Sequence, residues 1–303
     1  PLVGDGASSL DGERLAAAAR CGATLIGSHA AVVYAGENHP MLPVLLLACA
    51  WRGVPYVPVN YRLDDGQLKS LIDRVNQPLV IADARTAERL RSIGLDVVEL
   101  FDWLAALDES EQLESGAEDD EEIAIILYTS GTTAEPKAAL LRHRHLMAYL
   151  LGAVEYASAD EDEAVLISVP PYHVAGVANM LSNLFAGRRL VYLENFSAES
   201  WLETARAERA THAMVVPTML ARIVDAIDAG TAAPTSLRSL SYGGSRIALP
   251  VLEKALGQFP HTGFVNAYGL TETASTIALL GPDDHREAMA SDDPAIRRRL
   301  VSV

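Results

Sequence analysis

Two stretches of the chain carry residue types suited to phosphate chemistry rather than to packing. The first, Leu127-Tyr-Thr-Ser-Gly-Thr-Thr-Ala-Glu-Pro-Lys137, follows the apolar run Ile123 to Leu127 and offers small or hydroxylated residues from Thr129 to Thr133. Backbone N–H groups and hydroxyls of such a run converge on an anion, and Lys137 adds a point charge for phosphate oxygens. The Walker pattern Gly-x-x-x-x-Gly-Lys-Ser/Thr is absent, and Pro136 forbids a helix running straight through the lysine. A polar turn between two strands would use the same residues, so this stretch alone leaves two readings open. The second, Tyr268-Gly-Leu-Thr-Glu272, supplies an aromatic face, a glycine for close backbone approach, a hydroxyl and a hard carboxylate. These are the parts needed to stack a base, hold a phosphate and ligate a divalent cation.

In this order along the chain, the two stretches resemble the adenylate-forming superfamily: acyl- and aryl-CoA synthetases, adenylation domains of peptide synthetases, and luciferases. Other segments resemble that family in the same sequence: Val57-Pro-Val-Asn60 with Arg62-Leu63, Val80-Ile-Ala-Asp83, Leu140 to Leu146, Pro170-Pro-Tyr-His-Val-Ala-Gly176, Val216-Pro-Thr218 and Tyr242-Gly-Gly-Ser245. The resemblance runs from about residue 30 to about residue 280, and the two ends fit less well.

The resemblance implies a role for each stretch. Thr129, Ser130, Gly131, Thr132, Thr133 and Lys137 would grip the phosphates of ATP. Gly243, Gly244 and Ser245 would form one wall of an adenine slot and Tyr268 the other, with Asn266 and Ala267 along the adenine edge and Gly269 close to the nucleotide. Thr271 would donate to the α-phosphate, and Glu272 would hold Mg²⁺ with a hydroxyl of the Thr132-Thr133 pair. An arbitrary lone histidine is more often structural than functional, but a Tyr/Phe-His segment at the place of His173 borders the carboxylate and thioester-forming site in acyl- and aryl-CoA ligases. The acyl pocket would be shaped by His173, Val174, Gly176, Val177 and Met180 with the Gly243–Ser245 turn. The implied reaction joins a fatty or aromatic carboxylate to ATP, giving acyl-AMP and pyrophosphate, and passes the acyl group to CoA as co-substrate. His143 and His145 read as turn and helix-start residues despite a spacing that superficially suggests a metal pair.

The chain departs from the family pattern in two places. Ala134 and Ala138 stand where the phosphate loop usually has glycines, and a positive φ at Ala134 would cost roughly 1 kcal/mol. After Glu272 the family normally continues through a strand-rich subdomain with a ribose-binding Asp, a hinge, and a small mobile domain with a catalytic Lys. No stretch between Ala274 and Val303 supplies those parts, so the expectation is the large amino-terminal portion without the lid.

These residues need a scaffold, and the sequence outlines one. Val32–Tyr34, Tyr56–Val57, Leu79–Ile81 and Val97–Val98 read as strands, separated by helical stretches near 40–52, 64–74 and 85–92. The rhythm repeats after the acidic run Asp108 to Glu122, with strands near Ile123–Tyr128, Ala164–Ser168, Leu190–Leu193, Ala213–Val216, Leu240–Tyr242 and Phe264–Val265. The expected fold is α/β, two stacked doubly wound lobes over residues 1–117 and 118–303, with the ligand at the carboxyl ends of second-lobe strands. The acidic run reads as a solvated linker.

Composition bounds the partners. Half of the 303 residues are hydrophobic, enough for a large core, and the formal charge of −16 opposes nucleic acid or an anionic membrane surface as partner. Arg52 and the prolines at 40, 43, 55 and 58 interrupt the longest apolar stretch, so no integral membrane segment is expected. Cys21 and Cys49 sit among apolar residues and read as reduced packing residues of a cytoplasmic protein. A homodimer is compatible with this composition. Two other readings stay open: an aryl- or amino-acid-adenylating enzyme serving a carrier protein, and a non-catalytic adenylate-binding remnant.

Overall fold

The structure, a computed structural model, describes Val3, Leu10–Thr129 and Pro136–Val301. By contacts the chain divides into two compact units, one holding Gly6–Ala148 with Pro171–His173, the other Tyr149–Pro170 with Val174–Val303.

The first unit opens with helix α1 (Gly12–Ile26), which the sequence reading did not foresee. The Asp11 carboxylate caps it by accepting from the Arg14 N–H at 2.9 Å, and Gly27 ends it at φ 60°. Its buried face packs on α2 (Leu42–Arg52), and a Cβ at Gly22 would meet the Trp103 ring and Ala48 within 3 Å. The strands β1 (Ala31–Ala35), β2 (Tyr56–Pro58), β3 (Pro78–Ala82) and β4 (Val98–Glu99) pair in parallel, with β1 wholly buried. Asp64, after the turn that follows β2, and Asp83, directly after β3, cap α3 (Asp65–Ile72) and α4 (Ala84–Ser92), each accepting a backbone N–H at 2.9 Å. A short α5 (Leu100–Ala105) follows β4.

Among the described residues, the first sheet runs β4-β3-β1-β2-β5-β6, with β5 at Ile123–Thr129 and β6 at Lys137–Arg142. This corrects the expected boundary at 117/118. Strand β5 joins the first sheet beside β2, and the first unit continues to Ala148. Strand rhythm tells where strands occur, not which sheet they enter. The β6 strand was also unforeseen, and its antiparallel pairing makes the sheet mixed.

The acidic run is fastened to this unit rather than free in solvent. The Trp51 indole donates to the Leu113 carbonyl at 2.9 Å, Ala117 N–H donates to the Trp51 carbonyl at 3.0 Å, and Arg20 Nε donates to Gln112 Oε1 at 2.7 Å.

Helix α6 (His143–Ala153) begins at His143 as expected, and His145 Nδ1 accepts the Arg142 N–H at 3.2 Å. The second unit builds the sheet β12-β11-β10-β9-β7-β8 from β7 (Ala164–Ile167), β8 (Arg189–Tyr192), β9 (His212–Val215), β10 (Ser239–Gly243), β11 (Gly263–Leu270) and an unforeseen antiparallel edge, β12 (Ser275–Leu280). Around it lie α7 (Val174–Ala186), α8 (Ala198–Ala207), α9 (Pro217–Asp228), α10 (Leu249–Gln258), α11 (Pro282–Ala290) and α12 (Pro294–Arg297). Its core gathers Trp201, Leu220, Ile223, Tyr242 and Phe264. Among the described residues, no helix is long and apolar enough to cross a membrane.

At the start of β9, His212 Nδ1 lies 2.9 Å from Thr211 Oγ1, beside the ion pairs of Glu163 with Arg188 (2.6 Å) and Arg238 (3.7 Å). Burial, then the Arg188 charge, push the His212 pKa down to about 4, against the pull of Glu163. A depressed histidine pKa stabilises the fold above its unfolded value and loses that contribution as pH falls toward the folded one. Thermal stability is therefore expected to fall between about pH 6.5 and pH 4. Melting curves of His212→Gln should show a shallower decline over that window, with the remaining slope carried by other groups.

Candidate functional site

Strands β10 and β11 run in parallel with Tyr242 opposite Asn266 and Gly243 opposite Ala267. A Cβ at Gly243 would lie 2.1 Å from the Ala267 carbonyl oxygen, so glycine is required for this approach. The chain leaves β10 through Gly244 at φ 85°, a conformation strained for other residues. Strand β11 carries Asn266, Ala267, Tyr268 and Gly269, and its pairing with β12 shifts register between Tyr268 and Gly269. Such an irregularity twists the strand and re-aims its side chains. Tyr268 is left 46% exposed, whereas Asn266 is buried.

Between the end of β10 and this irregular strand lies a cavity of about 520 Å³, lined by Gly243–Arg246, Asn266–Leu270 and Val301. Of the residues the resemblance assigned to the nucleotide, Gly243, Gly244, Ser245, Asn266, Ala267, Tyr268 and Gly269 line this one cavity. Arg246, Leu270 and Val301 were missed. Arg246 adjoins the glycine pair and was within reach of a closer reading; nothing in the sequence points to Val301.

Directly after β11, the turn Thr271–Thr273 displays Thr271 and Glu272. The Thr273 hydroxyl accepts the Leu270 N–H at 2.9 Å and lies 2.8 Å from the Ser275 carbonyl, which it reaches as donor. That carbonyl would lie 1.7 Å from a Cβ at Gly269, and Ala274 and Ser275 take φ of 54° and 100°. Backbone held this way costs of order 1–3 kcal/mol per residue and persists only where its surroundings enforce it. Glu272 is exposed. Its carboxylate, free of any hydrogen bond or ion pair among the described residues, suits Mg²⁺, which takes one or two carboxylates and fills its remaining positions from phosphate and water.

A buried polar pair supports β10. Gly281 O can only accept, so His285 Nδ1 carries the proton of their 2.7 Å bond, and His285 Nε2 accepts from the Tyr242 hydroxyl at 2.9 Å. Burial first of all lowers the His285 pKa and raises that of Tyr242, which keeps both neutral. Neither residue was foreseen in this role, because the pairing joins positions far apart in sequence.

The expected phosphate grip begins and ends in the first unit. Thr129 and Lys137 are register partners across the β5–β6 hairpin, and the Arg74 guanidinium lies 5.4 Å from the Tyr128 ring centre while donating to the Pro136 carbonyl at 2.9 Å. Ser130, Gly131, Thr132, Thr133 and Ala134, expected between them, lie outside the described residues. Of the expected acyl-pocket residues, His173 counts with the first unit, while Val174, Gly176, Val177 and Met180 form the first turns of α7 in the second. Gly176, Val177 and Met180 are buried, and a Cβ at Gly176 would lie 2.5 Å from the Pro170 carbonyl oxygen. His173 is exposed, yet partial desolvation, and then the Arg62 charge, hold its pKa below the ordinary histidine value. Among the described residues, no group of three or more His, Cys, Asp and Glu gathers as a metal cage.

Comparison with known proteins places the chain in a family. The family model described as "AMP-binding enzyme" matches residues 12–295, a longer span than the motifs alone marked out. Feruloyl-CoA synthase of an Amycolatopsis species is 29% identical over 253 residues, 82% of this chain and 50% of that protein. The fatty acid–[acyl-carrier-protein] ligase ScoC of Streptomyces coeruleorubidus is 28% identical over 296 residues, 89% of this chain and 55% of that protein. The chain thus spans about half the length of the curated relatives it matches. The fold is similar to that of o-succinylbenzoate CoA synthetase from Bacillus subtilis in complex with an acyl-adenylate intermediate, with a TM-score of 0.77, 23% identity, and coverage of 92% of this chain and 57% of that one.

Gly269→Ala tests the strained turn. The added Cβ cannot coexist with the Ser275 carbonyl at 1.7 Å, so the turn must open. The expected outcome in paired melting and calorimetric titrations is a loss of about 1–3 kcal/mol of stability together with weaker nucleotide binding.

Proposed function

We propose, since this chain belongs to the AMP-binding enzyme family, that it is the nucleotide- and acyl-binding part of an AMP-forming acid–thiol ligase. The observation that carries this reading is the cavity between the Gly243–Arg246 turn and Tyr268, with the strained Thr271–Glu272 turn next in sequence. A flat purine fits between a glycine-bared backbone and an aromatic ring, and its phosphates then meet a hydroxyl and a carboxylate.

In the proposed reaction, a carboxylate oxygen of the substrate forms a bond to the α-phosphorus of ATP as the bond to pyrophosphate breaks. The carboxylate is already ionised near neutral pH, so this step needs no general base. Thr271 orients the α-phosphate, and Lys137 with the backbone donors of residues 129–133 offsets the charge developing on the transferring and departing phosphates. Glu272, with a Thr132 or Thr133 hydroxyl, would hold Mg²⁺, which when bound supplies further charge neutralisation. The acyl group then passes to a thiol and AMP departs. His173, with Val174, Gly176, Val177 and Met180, borders the acyl end in this reading. A fatty or aromatic acid suits these apolar residues, and CoA is the thiol by preference. The likeness to a ligase acting on an acyl carrier protein favours a carrier-protein thiol as the second reading. Buried, unpaired Cys21 and Cys49 suit a cytoplasmic setting.

Calorimetric titration with non-hydrolysable acyl-adenylate mimics, short to long alkyl and aryl, tests this. One acyl class should bind tightly, and Tyr268→Ala should weaken it by the ~1–3 kcal/mol typical of a lost base stack. Glu272→Ala should keep the mimic and lose the metal-dependent part of ATP binding. Absence of binding across the panel would sink the proposal.

A further inference from the structure

The motif Asn60-Tyr-Arg-Leu63 is not absorbed by the nucleotide slot, yet its backbone is firmly held. Arg62 N–H donates to Asn60 Oδ1 at 3.1 Å, and Leu63 N–H donates to the Asn60 carbonyl at 3.2 Å, closing a turn after β2. Arg89, from α4, donates to the Tyr61 carbonyl at 2.7 Å and to the Leu63 carbonyl, and pairs with Asp65. The fixed turn presents two side chains. The Arg62 guanidinium lies 5.4 Å from the Tyr61 ring centre, with Nε 3.2 Å from the Tyr61 hydroxyl. The Tyr61 ring meets Tyr172 edge-on at 5.9 Å, and Tyr172 meets the His173 ring at 4.5 Å.

This chain of contacts accounts for an otherwise odd feature of the fold. Pro171–His173 counts with the first unit although the residues on either side, Tyr149–Pro170 and Val174 onward, count with the second. An edge-on ring, Tyr61, and the Arg62 cation beside it are what the first unit offers those three residues. We propose that Tyr61 and Arg62 are positioning residues for His173, holding its imidazole in place through the Tyr61–Tyr172 ring contact with the Arg62 cation set against Tyr61. The proposal rests on the reading of His173 as an acyl-site residue.

The groups that face this imidazole are Tyr172 beside it in sequence, and Tyr61 and Arg62 from the turn after β2; Glu37, from the turn after β1, acts on Arg62. His173 is exposed, yet partial desolvation and then the Arg62 charge both disfavour the imidazolium and favour the neutral ring. A neutral imidazole can accept a proton from an incoming thiol; an imidazolium cannot.

The test compares the full chain with Arg62→Met, which keeps most of the stem and removes the charge, and Arg62→Lys, which restores it. Histidine signals are followed by ¹⁵N NMR against pH, with His173 assigned by His173→Gln. The expected result is a His173 pKa below the free value, raised in Arg62→Met and returned downward in Arg62→Lys. Arg62→Met should also weaken the preferred acyl-adenylate mimic roughly two- to fivefold, the range of one exposed cation–ring contact, with AMP affinity unchanged. An unmoved His173 titration overturns the proposal. So does an equal loss of AMP and mimic affinity, which would mark a general structural defect. If the titration moves as expected while the unaltered chain binds neither AMP nor any mimic, the positioning stands and the ligase reading falls.

Discussion

The cavity at the end of β10 exists because backbone approaches backbone more closely than side chains permit. The Ala267 carbonyl occupies the space a Cβ on residue 243 would need, and the Ser275 carbonyl does the same at residue 269. Each approach brings a strand end against its neighbour without intervening atoms, which leaves a flat recess bordered by Tyr268. The strain of Ala274 and Ser275 follows from the second approach, since the chain must turn back at once to form β12 as the antiparallel edge. The Thr273 hydroxyl bonds and the buried Tyr242–His285 pair then hold the two strand ends from opposite sides in sequence. Remove either glycine and these later features lose their reason.

Much of this was legible before the fold was known, for a physical reason. Glycines that must lack a Cβ, an aromatic followed by glycine, and a Thr-Glu pair are local requirements, so they leave local traces in sequence. Buried parallel strands such as Ala31–Ala35 are equally legible as short apolar runs between turn residues. What escaped depends on distant partners. Ile123–Thr129 is an apolar run whichever sheet it joins, and only its neighbour β2 decides the matter. Residues 137–142 alternate weakly, with Lys137, Ala138 and Leu140 exposed, so β6 shows no clear period. Helix α1 is alanine-rich and lies before the first recognisable motif, and its partner α2 is what makes its small residues a packing face.

Charge is organised on the same principle of local need within an overall excess. With 40 acidic and 24 basic residues, the chain can spare few cations. Many of its arginines are committed to structure: Arg89 to the turn after β2, Arg188 and Arg238 to Glu163, Arg297 to Glu253. Against that background, Lys137 begins β6 in the first unit, and in the second Arg246 lines the cavity, each a cation that the proposed reading would offer to an anionic ligand. A field that repels anions at long range therefore coexists with local attraction, which favours compact polyanions able to reach those groups over extended ones.

The fastening of the acidic run has an optical consequence. Of the three tryptophans, Trp103 and Trp201 are buried with indole N–H groups that find no partner among the described residues, whereas Trp51 is partly exposed, donates to Leu113, and lies 5.7 Å from the Arg20 guanidinium with Gly116 against its ring. Two fluorophores thus sit in buried surroundings, and the third sits under the charged segment fastened to it. The chain carries its own reporter: a change in the emission of Trp51 signals release of residues 108–122 from the first unit while the core beneath them stays intact.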